Sequence, residues 1–421
     1  MTSEIAILNY SGVALAADSA LTIGGRRVWN HANKLYSLGP HHDIGVMIFG
    51  NAEYCGIPWE VIIKKYRASH SDREFKTVDE CSASFFKYIQ TDEFADGRNE
   101  SYAFGSLLLD RLSRIKKHLK YDKKIEFRER LVAIMSQIEA QSENDLVWIC
   151  NQNEFSDYMS EIAQEIAKDV FGEKITKKLN AKIVEFAYFL ICRNIESELS
   201  TGIVFAGFGT EELFPNLVEY CVDGRMNLVT RYWKADSHNM NGPNAEPPAI
   251  VPFAQGDMIG LFMEGMHRSY SEWLRRTLRS VLNSQIDSVV EAYVPEAEQI
   301  VEKTIRRKEN ATAVSEFLKE FRDFRFQQSV NPILTIVEAL PKEEMAAMAG
   351  ALVEITSLKR RVDSNVESVG GPTDVAVISK GDGFVWIRRK HYFDWSLNRD
   401  FGWRKELKRR QKEDPRHDGA E

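Results

Sequence analysis

The first eighteen residues of the chain are Met1-Thr2-Ser3-Glu4-Ile5-Ala6-Ile7-Leu8-Asn9-Tyr10-Ser11-Gly12-Val13-Ala14-Leu15-Ala16-Ala17-Asp18. Two apolar runs flank the segment from Asn9 to Gly12, and Asn and Gly both tolerate the dihedral angles of a tight turn. The stretch therefore predicts a β-hairpin. Such a hairpin would bring Asp18 back beside the beginning of the chain.

A second pair of strands is predicted over residues 27–38 and 43–49, with Lys34 inside the first strand. Gly39-Pro40 supplies the turn between them. From about residue 52 the apolar spacing becomes helical. Gly50 is therefore predicted at a strand-to-helix junction, where backbone N–H groups point outward.

Thr2 draws attention because it follows the initiator methionine. Removal of Met1 would leave Thr2 with a free α-amine beside its own hydroxyl, so that one residue carries both base and nucleophile. Acyl-transfer chemistry at such a residue also needs a charge-tuning Lys/Asp pair and an oxyanion-stabilising N–H. Asp18, Lys34 and Gly50 are the candidates for these parts.

This pattern resembles the proteasome β-subunits and their bacterial relatives, the N-terminal-nucleophile hydrolases. When Thr2 is placed on the family's nucleophile, Asp18 and Lys34 fall on its acidic and basic catalytic positions without a gap. Gly50 aligns with the family's oxyanion-hole glycine when a two-residue insertion is allowed in the turn between Gly39 and Asp43. The resemblance implies an α+β fold, a four-layer αββα sandwich of antiparallel sheets with large helical insertions.

The resemblance also implies an activity, that of a threonine-type endopeptidase that cleaves amide bonds through a Thr2 acyl-enzyme. Leu21, Ala32 and Ile48 would contact the substrate side chain. The partners it implies are a peptide or amide substrate and further copies of the chain in a homo-oligomer. A separate ATPase partner is also expected, since the sequence contains no G-x-x-x-x-G-K-[ST] loop.

Some positions depart from the family pattern and keep two alternatives open. Val366 and Val369 stand where the family places an Asp and a Ser that support the nucleophile, and Gln255 replaces a serine before Gly256. The chain could instead be an amidase acting on a small molecule or peptide. It could also be a non-catalytic structural or regulatory subunit.

The resemblance is discontinuous along the chain. It predicts one domain over residues 2–390, with core segments 2–68, 201–260 and 341–390. The intervening residues 69–200 and 261–340 show three-four apolar spacing and are predicted to be helical insertions. An exposed loop rich in Asn, Gly and Pro is expected over 236–252. A charged tail is expected over 391–421, with residues 404–421 partly disordered.

Composition narrows the class of protein. The chain has 421 residues, of which 43% are hydrophobic and 28% charged, and its net charge of −7 argues against a nucleic-acid surface. Five cysteines without C-x-x-C spacing predict reduced thiols in a cytoplasmic protein. Neither a secretory signal nor a membrane span is predicted. No metal and no cofactor is expected.

Overall fold

The structure is a computed structural model that describes residues 3–23, 27–39, 42–94, 100–119, 124–142, 145–146, 151–172, 175–226, 229–254, 256–363, 370–398 and 400–403. Its strands are β1 (Ser3–Asn9), β2 (Gly12–Ala17), β3 (Leu21–Ile23), β4 (Arg27–Trp29), β5 (Leu35–Ser37), β6 (Ile44–Gly50), β7 (Glu53–Tyr54), β8 (Ile57–Pro58), β9 (Thr201–Gly207), β10 (Asn216–Met226), β11 (Val229–Asn239), β12 (Ala249–Ala254), β13 (Asp374–Ser379) and β14 (Gly383–Arg388).

The α-helices are α1 (Trp59–Ser69), α2 (Val78–Ile89), α3 (Glu100–His118), α4 (Lys124–Ala140), α5 (Gln152–Phe171), α6 (Lys177–Ile191), α7 (Asp257–Glu264), α8 (Arg268–Tyr293), α9 (Gln299–Arg325), α10 (Asn331–Ala339) and α11 (Lys342–Asp363). A π-helical turn over Phe326–Val330 joins α9 to α10.

Two five-stranded antiparallel sheets form the centre of the fold. The first has the order β12-β1-β2-β13-β14, and the second has the order β11-β10-β9-β6-β5. In the first sheet, β1 and β2 form the predicted hairpin, with Glu4 opposite Ala17 and Asn9 opposite Gly12. The C-terminal β13 then pairs with β2, which places the two ends of the sequence in one sheet.

Buried side chains connect these sheets to each other and to helices. One apolar cluster contains residues of both sheets, among them Leu15 of β2 and Met47 of β6. A second joins β1 and β2 to α7, α10 and α11, and a third joins β6 and β9 to α1 and α2. Each fully buried side chain of this kind stabilises the fold by about 1.5–3 kcal/mol. The α+β class with antiparallel sheets is confirmed, and the four-layer αββα order stays a prediction with which these clusters are compatible.

The residues between α2 and β9 contain helices of their own. Helices α3 to α6 share a separate apolar cluster that includes Phe104, Leu131, Phe155 and Phe186. The segment from 261 to 340 is also helical, and α8 and α9 are its two longest members. Most of the side chains of α8 and α9 are exposed; in these two helices only Val290, Asn310 and Val314 are buried.

Two local predictions were wrong. Lys34 does not lie inside a strand: it immediately precedes β5, because the predicted strand over 27–38 is divided into β4 and β5. The predicted loop over 236–252 is also shorter, since β11 extends to Asn239 and β12 begins at Ala249. The second error arose because β12 pairs with β1, a partner that lies far away in the sequence.

Among the helices within the described ranges, none is both long and apolar enough to cross a membrane.

Candidate active site

Asp18 is the centre of the candidate site. It lies just after β2 and its carboxylate is completely buried. One oxygen accepts hydrogen bonds from the backbone N–H of Ser3, at 3.0 Å, and from Lys34 Nζ, at 2.6 Å. The other accepts from the backbone N–H groups of Ala20, at 3.2 Å, and Gly370, at 3.0 Å. A buried carboxylate is stable only when it is paired in this way.

Lys34 reaches Asp18 from the segment that immediately precedes β5 of the second sheet. Its side chain is 6% exposed, so the ion pair lies away from bulk water. The backbone carbonyl of Lys34 accepts a hydrogen bond from the N–H of Ile48 at 2.9 Å, which fixes the lysine beside β6. The predicted Asp18–Lys34 pair is therefore present in the structure, and removing either partner would leave a buried charge without its counter-charge.

Gly50 ends β6 in an exposed position, opposite Thr201 of β9. Its φ angle is +84°, and a Cβ atom at this position would lie 2.5 Å from the carbonyl oxygen of Ser200, so only glycine fits without strain. Backbone N–H groups alternate along a strand. The N–H of Gly50 is therefore directed to the same edge of β6 as that of Ile48, toward the segment that holds Lys34.

Thr2 lies outside the described residues, as do Gln255, Val366 and Val369. The structure does describe Ser3, the residue that follows Thr2. Ser3 donates its backbone N–H to Asp18 and accepts a hydrogen bond at 3.1 Å from the N–H of Asp18 through its carbonyl oxygen. That Ser3 nitrogen belongs to the peptide bond with Thr2, so Asp18 contacts the peptide group adjacent to the predicted nucleophile.

The three predicted substrate contacts lie on different elements. Leu21 begins β3 and is half-buried. Ala32 is also half-buried, and its N–H donates to the carbonyl of Ser19 at 3.0 Å. Ile48 is buried in the cluster between β6 and α1, so its side chain contributes to that core. Their role toward a substrate stays a prediction.

Glu4 is a buried carboxyl group of the first sheet that the sequence patterns do not identify. It lies on β1 and is fully buried. This burial raises the pKa of its carboxyl group well above the ordinary value of 4.5. The positive charge of Lys34 acts in the opposite direction. The signal that could have identified it is a carboxylate among the inward-facing residues of an otherwise apolar strand.

Within the described ranges, no three His, Cys, Asp or Glu side chains are grouped so that they could hold a metal ion.

Comparison with known proteins yields no family assignment. No family model matches the chain, and no curated protein matches it. Similar solved structures include Anbu (ancestral β-subunit) from Yersinia bercovieri, with 10% identity and a TM-score of 0.28, covering 100% of this chain and 99% of that one. The helical assembly of the Anbu complex from Pseudomonas aeruginosa has 10% identity and a TM-score of 0.28, covering 98% and 97%. An Anbu Gly-1 mutant from Hyphomicrobium sp. strain MC1 has 10% identity and a TM-score of 0.27, covering 98% and 97%.

These findings correct the family expected from the sequence. The expected assignment was to N-terminal-nucleophile hydrolases of the proteasome β-subunit type, as a threonine peptidase, and it is wrong: no family model carries it, and the similar structures are Anbu proteins. The physical reason is that a few residues at matching spacing describe a local geometry, whereas a family assignment requires likeness over the whole chain. A likeness with a TM-score of 0.28 is too low to transfer an activity or an assembly to this protein.

Proposed function

We propose that this chain is a self-assembling, proteasome-like subunit with a structural or regulatory role in a homo-oligomer. The observation that supports this function is the exposed apolar surface of α8 and α9. Tyr293 is 84% exposed and Ile300 is 79% exposed, and further apolar side chains of the two helices are open to solvent: Tyr270, Trp273, Val281, Val289, Val301, Ile305, Phe317 and Phe324. Apolar surface on this scale is typical of contacts between subunits.

Assembly can be tested by light scattering. We expect the purified chain to be at least a dimer across micromolar concentrations, because subunit contact would bury the apolar faces of α8 and α9. Tyr293→Ser together with Ile300→Ser should shift the equilibrium toward the monomer, whereas Lys64→Ser on the exposed face of α1 should not. A wild-type chain that remains monomeric at every concentration would contradict this function.

A second candidate function is hydrolysis of amide bonds at Thr2, and the Asp18–Lys34 ion pair favours it. In this mechanism Thr2 Oγ attacks the carbonyl carbon while the α-amine of Thr2 takes the hydroxyl proton. The amine has an ordinary pKa of about 7.7–8.0, and the positive charge of Lys34 would favour its deprotonated form. The Gly50 N–H would stabilise the oxyanion, and the proton would pass to the leaving amine. Water would then hydrolyse the acyl-enzyme.

This chemistry can be tested with a threonine-directed β-lactone and intact-mass measurement. We expect one covalent adduct on the N-terminal peptide of protein that begins at Thr2. Thr2→Ala should give none, because the nucleophile is lost, and a residue retained in front of Thr2 should also abolish labelling, because an amide nitrogen cannot act as the base.

Ser3→Ala is the matched control, since it removes the adjacent hydroxyl and keeps the backbone N–H that contacts Asp18. It should be labelled at the wild-type rate. An adduct in Thr2→Ala would refute the hydrolytic function. If the protein assembles but is never labelled, only the structural role is supported.

A further inference from the structure

Helix α8 carries a row of apolar side chains beside the face that packs on α9. Three polar contacts fix the packed face: Asn283–Asn310 at 2.8 Å, Asp287–Arg307 at 2.6 Å and Glu291–Lys303 at 2.6 Å. The apolar row, called the α8 seam below, has alternating spacings of four and three residues and consists of Leu282, Ile286, Val289 and Tyr293. This spacing places all four side chains on one face of the helix, as in a coiled coil.

The α8 seam is open to solvent and lines a groove. Val289 is 55% exposed and Tyr293 is 84% exposed. On its other side the groove is lined by Glu302 and Arg306 of α9, and its volume is about 400 Å³. Glu302 and Arg306 pair with each other at 2.8 Å, so the charges beside the groove already have partners. The groove therefore favours an apolar helix face over a charged ligand.

Opposite charges lie at the two ends of the α8 seam. Arg279 continues the three-four spacing toward the N-terminus of α8 and is exposed. Glu296 is exposed in the turn that follows Tyr293. Among the ion pairs formed by the described residues, none includes Arg279 or Glu296. At a rise of 1.5 Å per residue, Arg279 lies about 20 Å from the end of α8, so the two charges cannot pair within one chain.

A second α8 running in the opposite direction would match both the apolar and the charged positions. With a two-fold axis between residues 287 and 288, Ile286 lies beside the partner's Val289, and Leu282 lies beside the partner's Tyr293. The same register directs Arg279 toward the turn that carries the partner's Glu296. Each of these contacts occurs twice, because a two-fold interface uses the same surface of both copies.

We propose that the α8 seam packs antiparallel on the α8 seam of a second copy, so that two α8–α9 hairpins form a four-helix bundle. The inference rests on the proposed self-assembly and adds the surface, the direction and the register of the contact. Assembly removes the seam of both copies from water and gives Arg279 a counter-charge.

Disulfide cross-linking tests the direction and the register. Chains with Leu282→Cys are co-expressed with chains with Tyr293→Cys, purified under reducing conditions and then oxidised. A disulfide requires Cα atoms within about 7 Å, so intact mass should show a covalent dimer that contains one chain of each kind. Neither variant should cross-link when it is expressed alone. Cross-linking of each variant with itself would indicate parallel helices and overturn the proposal.

Leu358→Cys is the matched control for cross-linking. Leu358 lies on α11 and is 63% exposed, but it is not part of the α8 seam. Its co-expression with Tyr293→Cys should give no covalent dimer. If this pair cross-links as well as Leu282→Cys with Tyr293→Cys does, random collision explains both products, and the proposal fails.

Charge reversal tests the contact without cysteines. Arg279→Glu should weaken dimerisation by about tenfold or more in analytical ultracentrifugation, since like charges would meet twice in each dimer. Arg279→Glu together with Glu296→Arg should restore the wild-type affinity. Arg322→Glu makes the same change at an exposed position near the far end of α9 and should have no effect. Equal weakening by Arg279→Glu and Arg322→Glu, or no recovery in the double variant, would contradict the proposed register.

The outcomes separate this inference from the function on which it rests. If the wild-type chain is monomeric at every concentration, self-assembly fails and the inference fails with it. If the wild-type chain assembles but the mixed cysteine variants do not cross-link, self-assembly stands and the antiparallel α8 contact is wrong.

Discussion

Replacing Lys34 by methionine should reduce the rate of β-lactone labelling of Thr2 by about 10²–10⁴-fold, the range that acid–base catalysis contributes. Under the proposed hydrolytic function, Lys34 supplies the positive charge that keeps the Thr2 amine deprotonated. The fold should survive, because Asp18 would still accept hydrogen bonds from the backbone N–H groups of Ser3, Ala20 and Gly370. Initial labelling rates from intact mass, with thermal unfolding measured in parallel, check both expectations.

Lys64→Met is the control for this experiment. Lys64 pairs with Glu60 on the exposed face of α1, and half of its side chain is accessible. Exposed ion pairs contribute about 0–1 kcal/mol, so neither labelling nor stability should change measurably. Labelling of Lys34→Met at the wild-type rate would show that the Asp18–Lys34 pair is structural only.

Replacing Arg231 by methionine should lower the free energy of unfolding by about 3–5 kcal/mol, the cost of breaking a buried ion pair. The Arg231 guanidinium is fully buried, and its Nη1 lies 2.6 Å from Asp223 Oδ2. It also donates to the backbone carbonyls of Ile191, at 2.6 Å, and Ile195, at 3.0 Å. The substitution would therefore leave Asp223 without its counter-charge and release the end of α6 from the second sheet. Urea unfolding would measure the loss.

Lys234 lies on the same strand as Arg231 and provides the comparison. It pairs with Asp79 at 3.1 Å, but both side chains are more than 40% exposed. Lys234→Met should therefore cost no more than about 1 kcal/mol. In the double variant Arg231→Met with Asp223→Leu, part of the stability should return, because the unpaired carboxylate is also removed. Equal losses in the free energy of unfolding for Arg231→Met and Lys234→Met would show that burial does not determine how much an ion pair contributes to stability.

Elements whose signal is local could be predicted from the sequence. The β1–β2 hairpin follows from two apolar runs and a turn, and α2 begins and ends where its apolar spacing does, with Thr77 accepting a hydrogen bond from the N–H of Glu80 as its N-cap. β13 and β14 form a hairpin of the same local kind, with Ser379 opposite Gly383. In these segments the interactions that define the element lie within a few residues, so the sequence pattern contains most of the information.

Elements that depend on distant partners could not be predicted. β12 exists because it pairs with β1, with Ser3 opposite Ala254, and the Asn- and Pro-rich composition near it indicated a loop instead. The Asp18–Lys34 contact was predicted through the family resemblance, and the family assignment itself was wrong. Glu4 is a further example, because its full burial depends on the second sheet and cannot be deduced from β1 alone.

The hydrogen bond from the Gly370 N–H to Asp18 has a consequence for biosynthesis. These two residues are separated by 352 positions, so the bond cannot form until Gly370 has left the ribosome. At a synthesis rate of about 5–20 residues per second, Asp18 would wait about 20–70 s for this partner. Contacts with such a large sequence separation form late in folding. A chain that ends before Gly370 therefore lacks this hydrogen bond, and the environment of Asp18 is complete only after Gly370 has been synthesised and has folded against it.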